Sequence, residues 1–397
     1  MAGSSRSWFR VVAVLVLASA TATACHSVPR SLSSPATPSP PTPAGSVVAV
    51  SPAAEAVPPQ AWSVRVGGEP SAPVVRGRVA FVASTGGLTA VRLRDGTIAW
   101  TAKVPRSSCD RPAIVRRVVV VSCGEWVVAF DGLTGHELWR KPIVTWTFSR
   151  GVERRAIGSP TATAGLVFVQ DVAQGISAIE PRSGLLVWSH ALAGTSSEPA
   201  TASDGIVYVP SGTSAGPPSG MLWGTVVQAI DARTGTVRWT APTKGDILSP
   251  PVLDAGRLFV STESGGPSFA IDARTGEIVH RFPRYGLQFP AGAGRLVVAG
   301  VGVGDGHQRV AAIDASTGDR LWATPTPNGL SIQTPTVIDG TAYIASNQGG
   351  DLLYAFDLAT GKREWKVHLN SVSGTAAGPG EQLLVTAGHK LIAYGLS

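Results

Sequence analysis

Residues 230–239 read Ile230-Asp231-Ala232-Arg233-Thr234-Gly235-Thr236-Val237-Arg238-Trp239, and this stretch decides the fold. An alternating apolar run (Val226, Val227, Ala229, Ile230) leads into Asp-x-x-Thr-Gly and then into a strand carrying Trp. Asp accepts hydrogen bonds from backbone N–H groups within a turn, and Gly takes the positive-φ position that a branched residue resists. The unit therefore reads as a β-hairpin. Trp239 has the size to seal one sheet against its neighbour, burying on the order of 200 Å².

The pattern recurs seven times, its Gly and following Trp at 96/100, 135/139, 184/188, 235/239, 276/280, 318/322 and 361/365, with His280 in place of one Trp. Successive glycines lie 39, 49, 51, 41, 42 and 43 residues apart. A second hairpin precedes each unit, as in Pro73–Val82, Pro251–Val260 and Pro335–Ile344. Two hairpins in about 42 residues, with no helical periodicity between them, make a four-stranded propeller blade. Ala61-Trp62 is a further closing strand without upstream partners, while Leu383–Val385 and Leu391–Tyr394 are strands without a closing Trp. The expectation is an all-β, eight-bladed β-propeller of four-stranded antiparallel blades. The N-terminal strand completes the last blade, which removes the open edges.

The motif Ala-x-Asp-x-x-Thr-Gly-x-x-x-Trp resembles the pyrroloquinoline-quinone (PQQ) repeat, or quinoprotein-type, family over essentially all of residues 61–397. The resemblance implies a propeller. It leaves function open, because the repeat serves quinoprotein dehydrogenases, the propeller lipoprotein of the outer-membrane barrel assembly machine, and many exported proteins. For a dehydrogenase it implies PQQ, Ca²⁺ held by carboxylate and amide groups, a catalytic Asp and a pair of adjacent cysteines. This chain has no adjacent cysteines and no Cys-x-x-Cys-His haem site. Asp131, Asp231, Asp272, Asp314 and Asp357 recur at one hairpin position, which marks them as turn residues.

Other chemistry is equally sparse. Gly300–Gly306 looks like a phosphate loop but joins strand to strand, so the helix N-terminus that would hold a phosphate is missing. The seven His have no short paired spacing suited to zinc, and no Gly-x-Ser-x-Gly elbow occurs. The expectation is no catalytic, metal or cofactor residues, with PQQ and calcium entering only under the enzyme alternative.

The first 60 residues give an address. Arg6 and Arg10 precede an apolar run, Val11–Ala20, and then Thr21-Ala22-Thr23-Ala24. This is a secretory signal over residues 1–24, its apolar part too short to span ~30 Å of bilayer. Ala22-Thr23-Ala24-Cys25 resembles a bacterial lipobox, which makes Cys25 the lipidated mature N-terminus, although Ala22 stands where Leu is usual. From His26 to Gln60 nine Pro lie among Ser, Thr and Ala. Such a tether reaches at most on the order of 100 Å at ~3.1 Å per residue. Domains follow as signal 1–24, tether 25–60 and propeller 61–397.

The 397-residue chain is 44% hydrophobic and 15% charged, which excludes a wholly disordered protein. Its formal charge of +7 includes Arg6 and Arg10. No basic stripe carries interleaved aromatics, so nucleic acid is not an expected partner. Cys109 and Cys123 are equidistant from a turn centred near Arg116, which places them opposite each other on a hairpin as a structural disulfide.

Two repeats run about ten residues long by comparison with the ordinary blade period. One insertion follows Trp139 and brings Trp146, Phe148, Arg150, Arg154 and Arg155; the other precedes Val226 and brings Met221, Leu222 and Trp223. In a four-stranded meander both open on the same face, and Trp with Arg dominates interface hot spots. The function expected is a non-catalytic binding or scaffold lipoprotein, extracytoplasmic and tethered to the bacterial membrane. Its partner is a protein or another envelope component; the alternative is a PQQ-dependent quinoprotein-type oxidoreductase.

Overall fold

The computed structural model describes residues 56–104, 108–142, 158–171, 175–192, 198–212, 224–244, 247, 249–262, 267–282, 287–293, 296–302, 308–325, 334–346 and 351–396. All of the strands lie within the unit Pro52–Ser397, and no described residue is helical. The architecture is a β-propeller of four-stranded antiparallel blades. Seven sheets, numbered here in chain order, are each built from four consecutive strands. The fourth consists of Thr201–Ser203, Ile206–Gly212, Gly224–Asp231 and Val237–Lys244. One further sheet is composite: Gln60–Arg65 pairs with Lys390–Gly395, followed by Gln382–Ala387 and Val372–Gly378.

Burial explains the strand compositions. The second and third strands of each blade lie between neighbouring sheets and are apolar on both faces, as in Val118–Cys123, where all six residues are buried. Outer strands alternate; in Arg363–His368 only Trp365 is fully buried. Inner strands are short, three residues in sheets one to five and seven. Most follow a Pro (Pro73, Pro112, Pro160, Pro251, Pro335), whose missing N–H suits a strand edge facing the channel.

The repeat motif does its work between blades. Gly235 has φ +74°, and a Cβ there would come within 2.8 Å of Trp188 of the preceding sheet. The Trp188 indole N–H donates to the Ala232 carbonyl at 2.9 Å. The same hydrogen bond, to the residue three before the turn Gly, runs from Trp62 to Leu93, Trp100 to Gly132, Trp139 to Pro181, Trp239 to Ala273 and Trp322 to Leu358. His280 fills the Trp position against Gly318 by packing. Trp100, Trp188, Trp239, His280 and Trp365 also meet an aromatic of their own blade, for example Phe168 with Trp188 at 5.7 Å and Tyr208 with Trp239 at 5.9 Å.

The motif's Ala gains a role from the register. Ala90, Ala129, Ala178, Ala229, Ala270, Ala312 and Ala355 each pair directly with the closing Trp or His, and the ladder slips by one residue immediately after. Ala393 stands opposite Trp62 in the composite sheet. A methyl group leaves room for the indole to lie across the strand, and the bulge turns it toward the next blade.

The repeat Asp residues are turn residues. Asp231 Oδ1 accepts the N–H groups of Arg233 and Thr234 at 3.0 Å, and Asp272, Asp131, Asp314 and Asp357 accept in the same way. The Arg238 guanidinium, 2.6 Å away, and those turn amides hold the Asp231 carboxyl down at about 2. Its folded pKa lies below the unfolded value, so its contribution is complete above about pH 4 and is lost as pH falls toward 2. Accordingly, Asp231→Asn is expected to be less stable than the parent at pH 7 and to converge with it near pH 2. Urea unfolding across pH 7 to 2 checks this; a difference that stays constant with pH contradicts the assignment.

Candidate functional site

In an antiparallel meander the turns between first and second strands, and between third and fourth, share one face. The remaining connections share the other. All of the Asp-x-x-Thr-Gly turns therefore lie on the first, the turn face; blade-to-blade connections open on the second, the loop face. Both long insertions leave from the loop face, between Pro142 and Gly158 and between Gly212 and Gly224. The sequence-derived contact residues Trp146, Phe148, Arg150, Arg154, Arg155, Met221, Leu222 and Trp223 lie outside the described residues, as does Cys25.

The disulfide is present. Cys109 and Cys123 are bonded with Cα atoms 4.1 Å apart, and both are buried. The hairpin pairs Val115 with Val118 and Ala113 with Val120, so the register at Cys109↔Cys123 has shifted by one residue across Asp110–Pro112. The bond pins the connection entering the second sheet to that sheet's second strand, on the loop face. Val104, Val121 and Val128 pack in the same cluster. Beside it, Trp126 pairs with Cys123 and with Pro142, where the first insertion begins. Sequence reasoning passed over Trp126; the available signal was a Trp outside the Gly-plus-four register.

The inner strands of sheets one to four enclose a cavity of about 510 Å³. Its charged lining residues are Arg76 and Arg111, and the remainder is aliphatic, Pro, Ser and Thr. Arg111 and Glu198 each precede a Pro on the way into an inner strand (Arg111-Pro112-Ala113, Glu198-Pro199-Ala200), Glu198 lying one residue farther from its strand. Arg111 stays open to solvent in the channel mouth, yet the protein around it desolvates the guanidinium and lowers its pKa. Burial pushes the half-buried Glu198 carboxyl up to about 7. Neither residue belongs to the turn repeat, so the repeat pattern could not reveal them.

A quinone cofactor with Ca²⁺ needs several oxygen ligands including carboxylates. The cavity lining contains no carboxylate, and among the described residues no group of three or more His, Cys, Asp or Glu is placed to hold a metal. These residues do not fit a calcium-dependent quinone site.

Comparison with known proteins identifies the repeat. The family described as outer membrane protein assembly factor BamB matches residues 43–192, 117–214 and 172–397. The chain belongs to this family. Among curated relatives, the outer membrane protein assembly factor BamB of Moranella endobia is 26% identical over 285 residues, covering 70% of this chain and 61% of that protein. The chain spans about three-fifths of the curated relatives it matches first. Among solved structures, BamB from Moraxella catarrhalis superposes with TM-score 0.63 at 19% identity, covering 86% of this chain and 98% of that one. A europium-containing methanol dehydrogenase superposes with TM-score 0.68 at 14% identity, covering 85% and 93%. At these identities the structural likeness establishes the propeller fold and nothing finer.

Closing a loop of this length contributes ~3 kcal/mol in the chain-entropy model. Cys109→Ser/Cys123→Ser is therefore expected to unfold at lower temperature than the parent while keeping its strand content. Circular dichroism melts measure this. Free thiols at both positions in non-reduced peptide maps would reject the bond.

Proposed function

We propose that the chain is an exported, membrane-tethered β-propeller that acts as a non-catalytic scaffold, docking a protein of envelope or outer-membrane assembly on its loop face. The observation that carries this reading is the family match, which runs along nearly the whole propeller and joins the chain to proteins named outer membrane protein assembly factors. We count the composite sheet as an eighth blade, whose Trp62 closes onto Gly96 of the first. Residues 1–24 act as the signal, Cys25 carries the lipid, and 25–60 form the tether. The insertions supply Trp146, Phe148, Trp223 and the positive rim of Arg150, Arg154 and Arg155, suited to an acidic partner surface. No cofactor takes part.

The repeat motif's resemblance to the quinoprotein-type family carries a second reading, a PQQ-dependent oxidoreductase. Against it stands a cavity lining without carboxylates. Saturable, Ca²⁺-dependent PQQ binding would promote this reading.

Affinity capture from detergent-solubilised membranes, with the tethered form as bait, tests the scaffold. Envelope assembly proteins are expected among the captured species. Trp146→Ala/Trp223→Ala should weaken capture about 30-fold with an unchanged melting temperature, the size expected of hot-spot residues. Cys25→Ser should move the protein from the membrane to the soluble fraction. Unaltered capture by the double variant, or its loss in step with stability, would contradict the docking face. Identical partitioning of the Ser variant and its parent would contradict the anchor.

A further inference from the structure

The opposite, turn-facing end of the channel carries charge that the scaffold reading does not use. A second cavity of about 430 Å³ opens there, sharing Arg76 with the larger one and adding Arg116 and Arg233, beside Thr163 and Gly165. Three Arg residues, from the first, second and fourth sheets, thus line one small volume, and among the described residues no carboxylate lines it.

The acids of these turns are already engaged. Arg117 holds Asp131 at 3.3 Å, Arg238 holds Asp231 at 2.6 Å, and Arg257 lies 3.7 Å from Asp272. Oδ1 of Asp131 and Asp231 also accepts turn N–H groups. Among the described residues, the side chains of Arg76, Arg116 and Arg233 form no hydrogen bond or ion pair. Arg116 occupies a left-handed turn position, φ +53°, so its place is set by the hairpin and not by a partner. The Thr163 hydroxyl accepts the Gly205 N–H at 3.0 Å, which leaves its own O–H to donate.

Gathering like charges without a counter-charge is unfavourable, and a bound anion relieves it. Guanidinium forks match the oxygens of phosphate in pairs, with geometry that a Lys cannot supply. The equivalent first turns of the seventh and composite sheets carry Asp339 and Glu381, whereas the acid nearest the cavity in a first turn is Asp204, next to the Gly205 that Thr163 holds, and the three Arg residues outnumber it. We propose that Arg76, Arg116 and Arg233 form a binding site for a phosphate group, borne by a soluble phosphoester or by a lipid headgroup.

Titration calorimetry of inorganic pyrophosphate into the full chain at constant ionic strength is the test. Saturable binding is expected, weakened at least ~10-fold in Arg76→Gln/Arg233→Gln. Arg274→Gln, which alters the same turn position in the fifth sheet outside the cavity, should match the parent. Sedimentation of the Cys25→Ser chain with phosphatidylglycerol and with phosphatidylcholine vesicles separates the sources. Retention on the anionic vesicles that the double variant loses assigns a headgroup, whereas pyrophosphate binding without retention assigns a soluble ester. Absence of saturable binding to both probes overturns the site, as does equal weakening by Arg274→Gln.

Discussion

The indole of Trp188 lies against Gly235 of the next sheet and donates its N–H to the carbonyl of Ala232, three residues earlier. Around the propeller this one contact joins sheets that share no strand-to-strand ladder. It makes two demands on the turn: a positive φ and an empty Cβ position. Gly alone meets both. Ala229, directly opposite Trp239, and the one-residue slip after it are the strand's half of the arrangement, because they aim the indole out of its own blade. The Asp at the start of the turn holds the loop in shape against the neighbouring ring.

This constraint divides the molecule into two kinds of surface. On the turn face the Asp-x-x-Thr-Gly chemistry is fixed by the closure of each blade, and the two residues between the Asp and the Thr vary from repeat to repeat. Arg233 is such a residue, and its placement in the smaller cavity costs the closure nothing. The loop face has no part in that closure. The disulfide, Trp126 and the ends of both insertions all lie there, where length and composition can change without disturbing the contacts that hold the blades together.

The fold was legible because the closure contact is written into the repeats as a Gly and, four residues on, a Trp, replaced once by His280. The reading of the Asp residues as turn acceptors followed from their constant position and agrees with the hydrogen bonds. His280 was readable as a packing residue for the same reason. The paired Ala was visible in the motif, but its purpose depends on register, which a single strand does not display. The disulfide was legible from hairpin symmetry, although the one-residue shift across Asp110–Pro112 was not. Arg111 and Glu198 escaped notice because they lie outside the turn repeat, and what sets them apart is desolvation by the folded protein, which the sequence does not display. The three turn-face Arg residues were hidden similarly, being distant in sequence and ordinary in type.

Two glycines offer a direct test of whether blade closure rests on the Trp–Gly contact. Gly235 and Gly256 have nearly the same φ, +74° and +73°. A Cβ at 235 would meet Trp188 at 2.8 Å, whereas one at 256 would meet nothing within 4 Å. Chemical unfolding of Gly235→Ala and Gly256→Ala, measured side by side, separates backbone strain from packing. The account predicts a loss of about 1 kcal/mol at 256 from conformation alone, and a further loss of about 1–3 kcal/mol at 235 from the displaced indole. Equal losses at the two positions would contradict it.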